Sequence, residues 1–316
     1  MSLSSKQTGS FDFDLTDKKI LYAYSQNCRL NQKDLAGDLR ISPETLNYRI
    51  QKLRDEIFEP ALAVDLTALP INTYVLFIEN ASMSRYETLR DHKSTHTVAR
   101  IIGDYECFAV ITTSDIDGFL SETLSKAKTD TYHVTDIQID DYNPWQLDMQ
   151  TDRAPTTKPL DMTPQHHDVL HGSMEHPDAS AYELSKHIDY DYRTIKKYQE
   201  ELHEHGIIKK WRYQIDIFSL GFKVYFIHAN TPPGEVKPIK EQQYQDDYSG
   251  LLYRSQTDVF FWYMPRTSKN LHDFTQRLHD KNNDVSTNVY EVGSEYAINI
   301  TPASVKETIK AHGTQT

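Results

Sequence analysis

Apolar positions fall at helical spacing in three successive groups near the start of the chain. Ile20, Leu21 and Tyr24 mark a first helix, and Leu35, Ala36 and Leu39 a second, short one. Leu46, Ile50 and Leu53 recur at i, i+4 and i+7, which gives a third helix a single buried face. Arg40 and Ile41 make a brief connection, and Ser42-Pro43-Glu44 opens the third helix. Ser is a good N-cap, Pro suits the first helical position, and Glu suits the positive end of the helix. The face opposite the apolar stripe carries Glu44, Thr45, Asn47, Tyr48, Arg49, Lys52 and Arg54. Beyond it, Ala61, Ala63 and Asp65 alternate with Leu62, Val64 and Leu66, which predicts a short extended segment.

The pattern then changes to βαββαβ. Residues 73–79 are rich in β-branched and aromatic side chains and read as a strand. Residues 82–92 read as a helix capped by Ser82 with Tyr86 and Leu89 inward. Strands are predicted over 98–102 and 107–112 around the Gly103-Asp104-Tyr105 turn, a helix over 115–127, and one alternating strand over 132–139. Such an order makes a ferredoxin-like layer of helices on an antiparallel sheet, so the fold class is α+β.

The pattern occurs twice. Leu170, Leu184, Ile195 and Leu202 each stand 149 positions after Leu21, Leu35, Leu46 and Leu53, and Asp191 stands where Ser42 caps. Asp216, Leu220 and Tyr225 follow Asp65, Leu69 and Tyr74 by 151 positions. Agreement over this many positions is read as an internal repeat. The second outer helix face offers Tyr192, Arg193, Lys196 and Lys197, and that helix ends at Gly206-Ile207-Ile208. Further strands are expected over 223–228, 251–254, 259–264 and 285–300, a helix over 268–280 and a last short one over 302–311. Pro232-Pro233-Gly234 reads as a turn, and 236–244 as a poor helix because of Pro238. The expected organisation is two winged helix-turn-helix domains, 11–59 and 162–210, each followed by a ferredoxin-like domain, 60–143 and 211–300. A Pro-rich linker spans 144–161 and a tail 301–316. The polar residues 1–10 are expected to be disordered.

Composition narrows the classes. The 316 residues hold enough apolar side chains, 38%, for sizeable cores. No run of about 18 apolar residues predicts a membrane span, and MSLSSKQTGS lacks an apolar signal core, so a cytoplasmic location is expected. Cys28 and Cys107 give neither a disulfide framework nor zinc spacing. A net charge of −12 argues against generic nucleic-acid binding. The footprint is local instead: from Arg40 to Arg54, four basic residues face one acidic residue. Arg, Asn and Thr on an exposed helix are the types that read base edges and grip phosphates. The plainer reading is a three-helix module whose charged face only meets water.

The run Leu-Thr-Asp-x-Lys-Ile-Leu from Leu15, Arg-Leu-x-Gln-x-Asp-Leu-Ala from Arg29, and Ile-Ser-x-Glu-Thr-Leu-x-Tyr-Arg-Ile-x-Lys-Leu from Ile41 resembles the helix-turn-helix of the leucine-responsive regulatory protein (Lrp)/AsnC family. Ile57-Phe58 replaces that family's usual Gly-Val-Ile. Ile101 to Ile111, IIGDYECFAVI, resembles the hairpin of its effector-binding RAM domain, with Glu106 where Asp is more usual. The resemblance implies a transcriptional regulator that binds double-stranded DNA through Ser42, Glu44, Thr45, Asn47, Tyr48, Arg49, Lys52, Arg54, Tyr192, Arg193, Lys196 and Lys197. It implies self-association as a homodimer or larger, and a small effector such as an amino acid at Gly103, Asp104, Tyr105 and Glu106. The duplication turns this into a covalent pseudo-dimer with two unlike readers, Asn47-Tyr48-Arg49 against Lys196-Lys197-Tyr198. For the turn, the plainer reading is a tight hairpin that needs Gly.

Two alternatives stay open. Siroheme decarboxylases are similar to this family and use His and Arg around a tetrapyrrole. A DNA-free effector-sensing scaffold would use the helix-turn-helix units only to dimerise. No phosphate loop, nucleophile elbow or paired-carboxylate motif is present, so the chain is expected not to be an enzyme, with no catalytic residue and no cofactor. His167 and His171 are four apart on one predicted helix, but no Cys or H-E-x-x-H pattern joins them, and no metal site is expected.

Overall fold

Ser42 caps the third helix as its side chain allows: the Oγ accepts the N–H of Thr45 at 3.1 Å, and Pro43 occupies the first turn. The computed structural model describes residues 3–4, 13–125, 127–139, 158–216, 220, 222–230, 249–255, 257–265, 267–281, 285–299 and 302–314. They divide into two units, a helix-turn-helix unit of 7–68, 145–221 and 306–316, and a sheet unit of 1–6, 69–144 and 222–305.

In the helix-turn-helix unit the first set is α1 (Leu15–Gln26), α2 (Gln32–Leu39) and α3 (Pro43–Glu56). The second is α6 (Pro164–Glu175), α7 (Ala181–Leu184) and α8 (Tyr192–Glu204). The stripes expected from spacing are the ones buried: Ile20, Leu21, Leu46, Ile50 and Leu53 pack into one core. Tyr213 and Ile215, from far along the chain, complete that core. They arrive on β8 (Ile208–Ile215), which pairs antiparallel with β2 (Phe58–Val64) from Phe58↔Ile215 to Val64↔Ile208. Each wing strand therefore finds its hydrogen-bond partner in the other set, not beside its own helices.

The third helix of each set ends differently. After α8, Gly206 takes φ +73° and the Ile207 N–H bonds the Leu202 carbonyl at 2.9 Å, a left-handed cap that glycine makes cheaply. After α3 there is no glycine, and Ile57 ends the helix in an irregular conformation with φ −139°.

In the sheet unit the first set is β3 (Asn72–Ile78), α4 (Met83–Asp91), β4 (Thr95–Ile102), β5 (Cys107–Thr113), α5 (Ile116–Thr123) and β6 (Thr129–Val134). The second set is β9 (Tyr225–Asn230), β10 (Ser249–Arg254), β11 (Asp258–Tyr263), α9 (Ser268–Lys281) and β12 (Ser286–Ile298). The turn at Pro232 and the poor helix at 236–244 lie outside the described residues, as does 144–157 of the expected linker. Strand order is β6-β3-β5-β4 in the first set and β12-β9-β11-β10 in the second, the same order twice, with the last strand beside the first. The fold is α+β, with a winged helix-turn-helix and ferredoxin-like sheets.

Among the described residues these strands form one sheet. β12 is 13 residues long and pairs with β9 along its first half and with β4 along its second. The strand expected over 132–139 is instead two. β6 pairs with β3, and β7 (Asp136–Ile139) pairs with β10 at the opposite end of the strand order. Only Thr135 separates them, and its N–H donates to the Arg254 carbonyl at 2.7 Å. The ends of the strand order are thus consecutive in the chain, and the sheet closes on itself. Closure removes the open edges that the sheet would otherwise expose. Leu3 and Ser4, expected to be disordered, form β1 on β12, opposite Ile298 and Ala297.

The closed sheet buries two kinds of face. Leu76, Ile78, Val98, Cys107 and Ala109 pack with Tyr86 and Leu89 of α4 and Phe119 of α5. On the inner face the first set meets the second through aromatic rings. Phe108 stacks on Phe226 with centroids 4.1 Å apart and planes 9° apart, and Phe77 lies 5.6 Å from His228 and 6.0 Å from Phe260. Such pairs add about 0.5–1.5 kcal/mol each beyond area burial.

Candidate nucleic-acid interface and effector turn

The first reader helix presents the side chains that its sequence face predicted. Glu44, Thr45, Asn47 and Lys52 of α3 are exposed, and Tyr48 is 71% exposed. Two arginines of that face are not turned outward. Arg49 donates to the Asp14 carboxylate at 2.8 Å and to the Asp17 carboxylate at 2.7 Å, and its side chain is only 27% exposed. Those same carboxylates cap α1, Asp14 as its N-cap and Asp17 through a capping box. Arg54 pairs with Asp178 at 2.7 Å and lies over the Tyr213 ring at 5.2 Å. Both arginines fasten the reader helix to its neighbours. Spacing placed them on the outer face but could not show carboxylates 32 and 124 residues away in sequence.

The turn into α3 carries a conformational cost. Arg40 closes α2 in the left-handed region, φ +56°, with its N–H on the Gly37 carbonyl at 3.1 Å.

The corresponding helix of the second set, α8, differs in chemistry. Asp191 caps α8, accepting from the N–H groups of Arg193 and Thr194 at 2.8 and 3.1 Å. The Thr194 hydroxyl, which also donates to Asp191, and then those two N–H bonds hold its carboxyl below the usual range. Tyr192 is 46% exposed, and the Arg193 guanidinium bonds its hydroxyl at 3.2 Å. Lys196 and Lys197 stand 3.6 and 3.7 Å from Glu200 and Glu201, one turn on. Exposed pairs of this kind hold their partners weakly. Sequence reasoning missed Tyr182 of α7, which is 63% exposed with the Lys186 ammonium 4.7 Å over its ring. An apolar-looking ring in a four-residue helix carried no periodic signal to find it.

At the turn between β4 and β5, Gly103 is required by a close approach. A Cβ there would lie 2.7 Å from a ring carbon of Tyr290. Tyr105 bonds the Asp130 carboxylate through its hydroxyl, which pushes its pKa up, and its ring lies 5.2 Å from Phe77. Glu106 accepts the Asn80 N–H at 2.5 Å. Tyr105 and Glu106 therefore brace the turn, and Gly103, Asp104 and Glu106 are exposed.

His167 and His171 are largely buried on α6, and burial lowers both pKa values. Among the described residues no group of three His, Cys, Asp or Glu is placed to hold a metal ion. Cys28 and Cys107 are free thiols. None of the described helices is long and apolar enough to cross a membrane.

Residues 13–56 match the winged helix-turn-helix DNA-binding family model, which fits the three helices and exposed face just described. No curated protein matches the chain in sequence. Over the whole chain the fold is similar to the siroheme decarboxylase NirDL, at 10% identity and TM-score 0.57, covering 94% of this chain and 98% of that one. A second structure of NirDL, in complex with an iron-uroporphyrin III analogue, matches to the same degree. LrpC of B. subtilis and AsnC of E. coli match at 20% and 19% identity over 41% and 45% of this chain, 99% and 98% of theirs, with TM-scores of 0.35 and 0.34. One expectation is corrected here. The lack of standard catalytic motifs suggested a chain that is not an enzyme, yet the fold that spans nearly all of it is one on which an enzyme is built.

Proposed function

We propose that this chain is a sequence-specific regulator that binds double-stranded DNA, built as a covalent pseudo-dimer of the Lrp/AsnC type. The observation that carries the reading is the exposed face of α3, with Thr45, Asn47, Tyr48 and Lys52 outward on a winged helix-turn-helix. Asn47 and Tyr48 read base edges, and Lys52 and Thr45 bond phosphates. Arg49 and Arg54 act by fixing the helix, and the α8 side chains Tyr192, Arg193, Lys196 and Lys197 grip the backbone. The duplication is supported by the repeated strand order and by the reciprocal pairing of β2 with β8. The six segments bounded at 59, 143, 161, 210 and 300 are then two copies of a two-domain unit, joined by a linker and followed by a tail. Further self-association, and an effector at Gly103, Asp104, Tyr105 and Glu106, belong to the same proposal. Its test is a mobility shift of the full chain on duplexes selected from a random pool, with Asn47→Ala alongside. Selection of one sequence, with preference relaxed in the variant, supports the reading; binding of all duplexes alike refutes it.

A second reading rests on the full-chain likeness to NirDL. In it the chain acts on a tetrapyrrole carboxylate, and the helix-turn-helix units serve assembly. Titration with siroheme separates the two: a saturable Soret shift with loss of carbon dioxide supports the second reading, and an unchanged spectrum removes it.

A further inference from the structure

The first helix of the second set, α6, carries three imidazoles, His166, His167 and His171. A later segment lies along it. The helix α10 runs Ala303–Ala311, and from Lys306 onward it belongs, with 312–314, to the same unit as α6. Lys306 pairs with the Glu175 carboxylate at 2.7 Å. The Thr314 N–H and hydroxyl both donate to the Asp168 carboxylate, the N–H at 3.2 Å. The rings of His167 and His312 lie 5.4 Å apart. Asp168 also accepts the Tyr190 hydroxyl at 2.8 Å, one residue before Asp191, the cap of α8.

His167 is badly placed to take a proton while this segment is docked. It is 7% exposed, and its Nδ1 is buried with no hydrogen-bond partner. A neutral imidazole can leave that nitrogen as a bare lone pair, whereas an imidazolium carries an N–H on both nitrogens. Protonation would therefore bury a donor without an acceptor. His167 is also the fourth residue of α6, near the positive end of the helix dipole.

The surrounding charges do not repair this. Burial, then His312 of the segment and His166 of the same helix, lower the His167 pKa, and Asp168 offsets them only in part. Asp168 is already shared between Tyr190 and Thr314. From α8, Glu201 bonds His166, and Tyr198 packs edge-on against that ring. From β2, Glu59 has a partner of its own. Beyond α7, His187 stacks on His176, which closes α6. One turn along α6, His171 faces Glu175, Lys310, Lys306 and Asp168, and burial lowers its pKa as well.

We propose that α6 and the segment 306–314 form a pH-operated latch, closed at neutral pH and released when His167 and His312 take up protons. The sign follows from linkage. A histidine whose pKa is lower docked than free favours docking above its free value and release below it. The latch is thus closed above about pH 6.5, the usual imidazole value, and loosens below it. Glu175 cannot produce that response, because Lys306 holds its carboxyl below the ordinary range and so charged throughout. The latch depends on neither functional reading above.

Hydrogen exchange of the full chain, read by mass spectrometry at about pH 7.5 and about pH 5.5 and corrected for intrinsic rates, tests it. Peptides covering 306–314 lose protection about tenfold or more at the lower pH. Peptides from α1 and α3, which contain no histidine, keep theirs. His167→Phe retains a ring without the proton site, and its segment stays protected at both pH values. Should that variant fail to fold, His312→Gln, at an exposed position, decides, and its loss at the lower pH is smaller than in the unaltered chain. Equal protection of 306–314 at the two pH values, a loss undiminished in the folded variants, or a loss shared equally by α1 and α3 would each overturn the proposal.

Discussion

Arg40 shows how one residue can carry both strain and position. An L-residue in the left-handed region costs roughly 1–2 kcal/mol, and Arg40 sits there, at φ +56°, between the two helices of the motif. Arg40→Gly is expected to raise unfolding stability by about 1 kcal/mol, less the extra chain freedom of glycine, read as a higher urea midpoint. Asp258 makes a second case. Burial pushes its carboxyl up, but hydrogen bonds from His228, Asn230 and Thr257 more than reverse this and hold it well below the ordinary 3.8. The sign follows from linkage: a depressed folded pKa adds stability at pH above the unfolded value, and that stability is lost as pH falls below it. Melting temperature should therefore drop between about pH 4 and pH 2, and drop less steeply in Asp258→Asn. A slope unaltered by that substitution would mean that other carboxylates dominate. Neither residue's environment was legible in the sequence, because Arg40 shows no glycine signal and His228 lies 30 positions from Asp258.

At the scale of elements, spacing and capping chemistry located α1, α2, α3, α6 and α8, since each has a local cause. Ser42, Asp191 and Gly206 act within four residues of themselves, and so can be read directly. What spacing could not show was long-range pairing. β2 needs β8, about 150 residues later, and the alternating run at 132–139 looks like one strand although it serves two. Thr135 is the corner, and Thr135→Pro removes its N–H from the Arg254 carbonyl. The expected cost is about 3 kcal/mol, seen as a lower melting temperature with the helix-turn-helix signal retained. The outward side chains of α3 were legible from its stripe, whereas the inward turn of Arg49 was not. Asn47→Ala should cost about 1–3 kcal/mol on the preferred sequence and relax preference. Arg49→Ala should weaken binding evenly across sequences, by loosening α3 from α1. The contrast is read from affinities on preferred and scrambled duplexes.

At the scale of the molecule, the sequence offsets of 149 and 151 are matched by a strand order that occurs twice, which supports the proposed duplication. What the offsets could not foretell is that the two sheets merge and close, because closure depends on faces meeting through Phe77, Phe108, Phe226 and Phe260. Phe226→Ala, at the centre of that interior, is expected to cost about 3–5 kcal/mol, measured by denaturant unfolding. A closed sheet holds its two halves together, so the sheet unit is expected to unfold in one transition. Two readers in one chain would then engage one site with unlike halves about 34 Å apart. The most direct measurement is the affinity of the full chain for its selected duplex as salt is raised. The account predicts a linear fall of log K against log salt, with a scrambled duplex bound about 1,000-fold or more less tightly. Equal affinity for both duplexes, or affinity indifferent to salt, would contradict it.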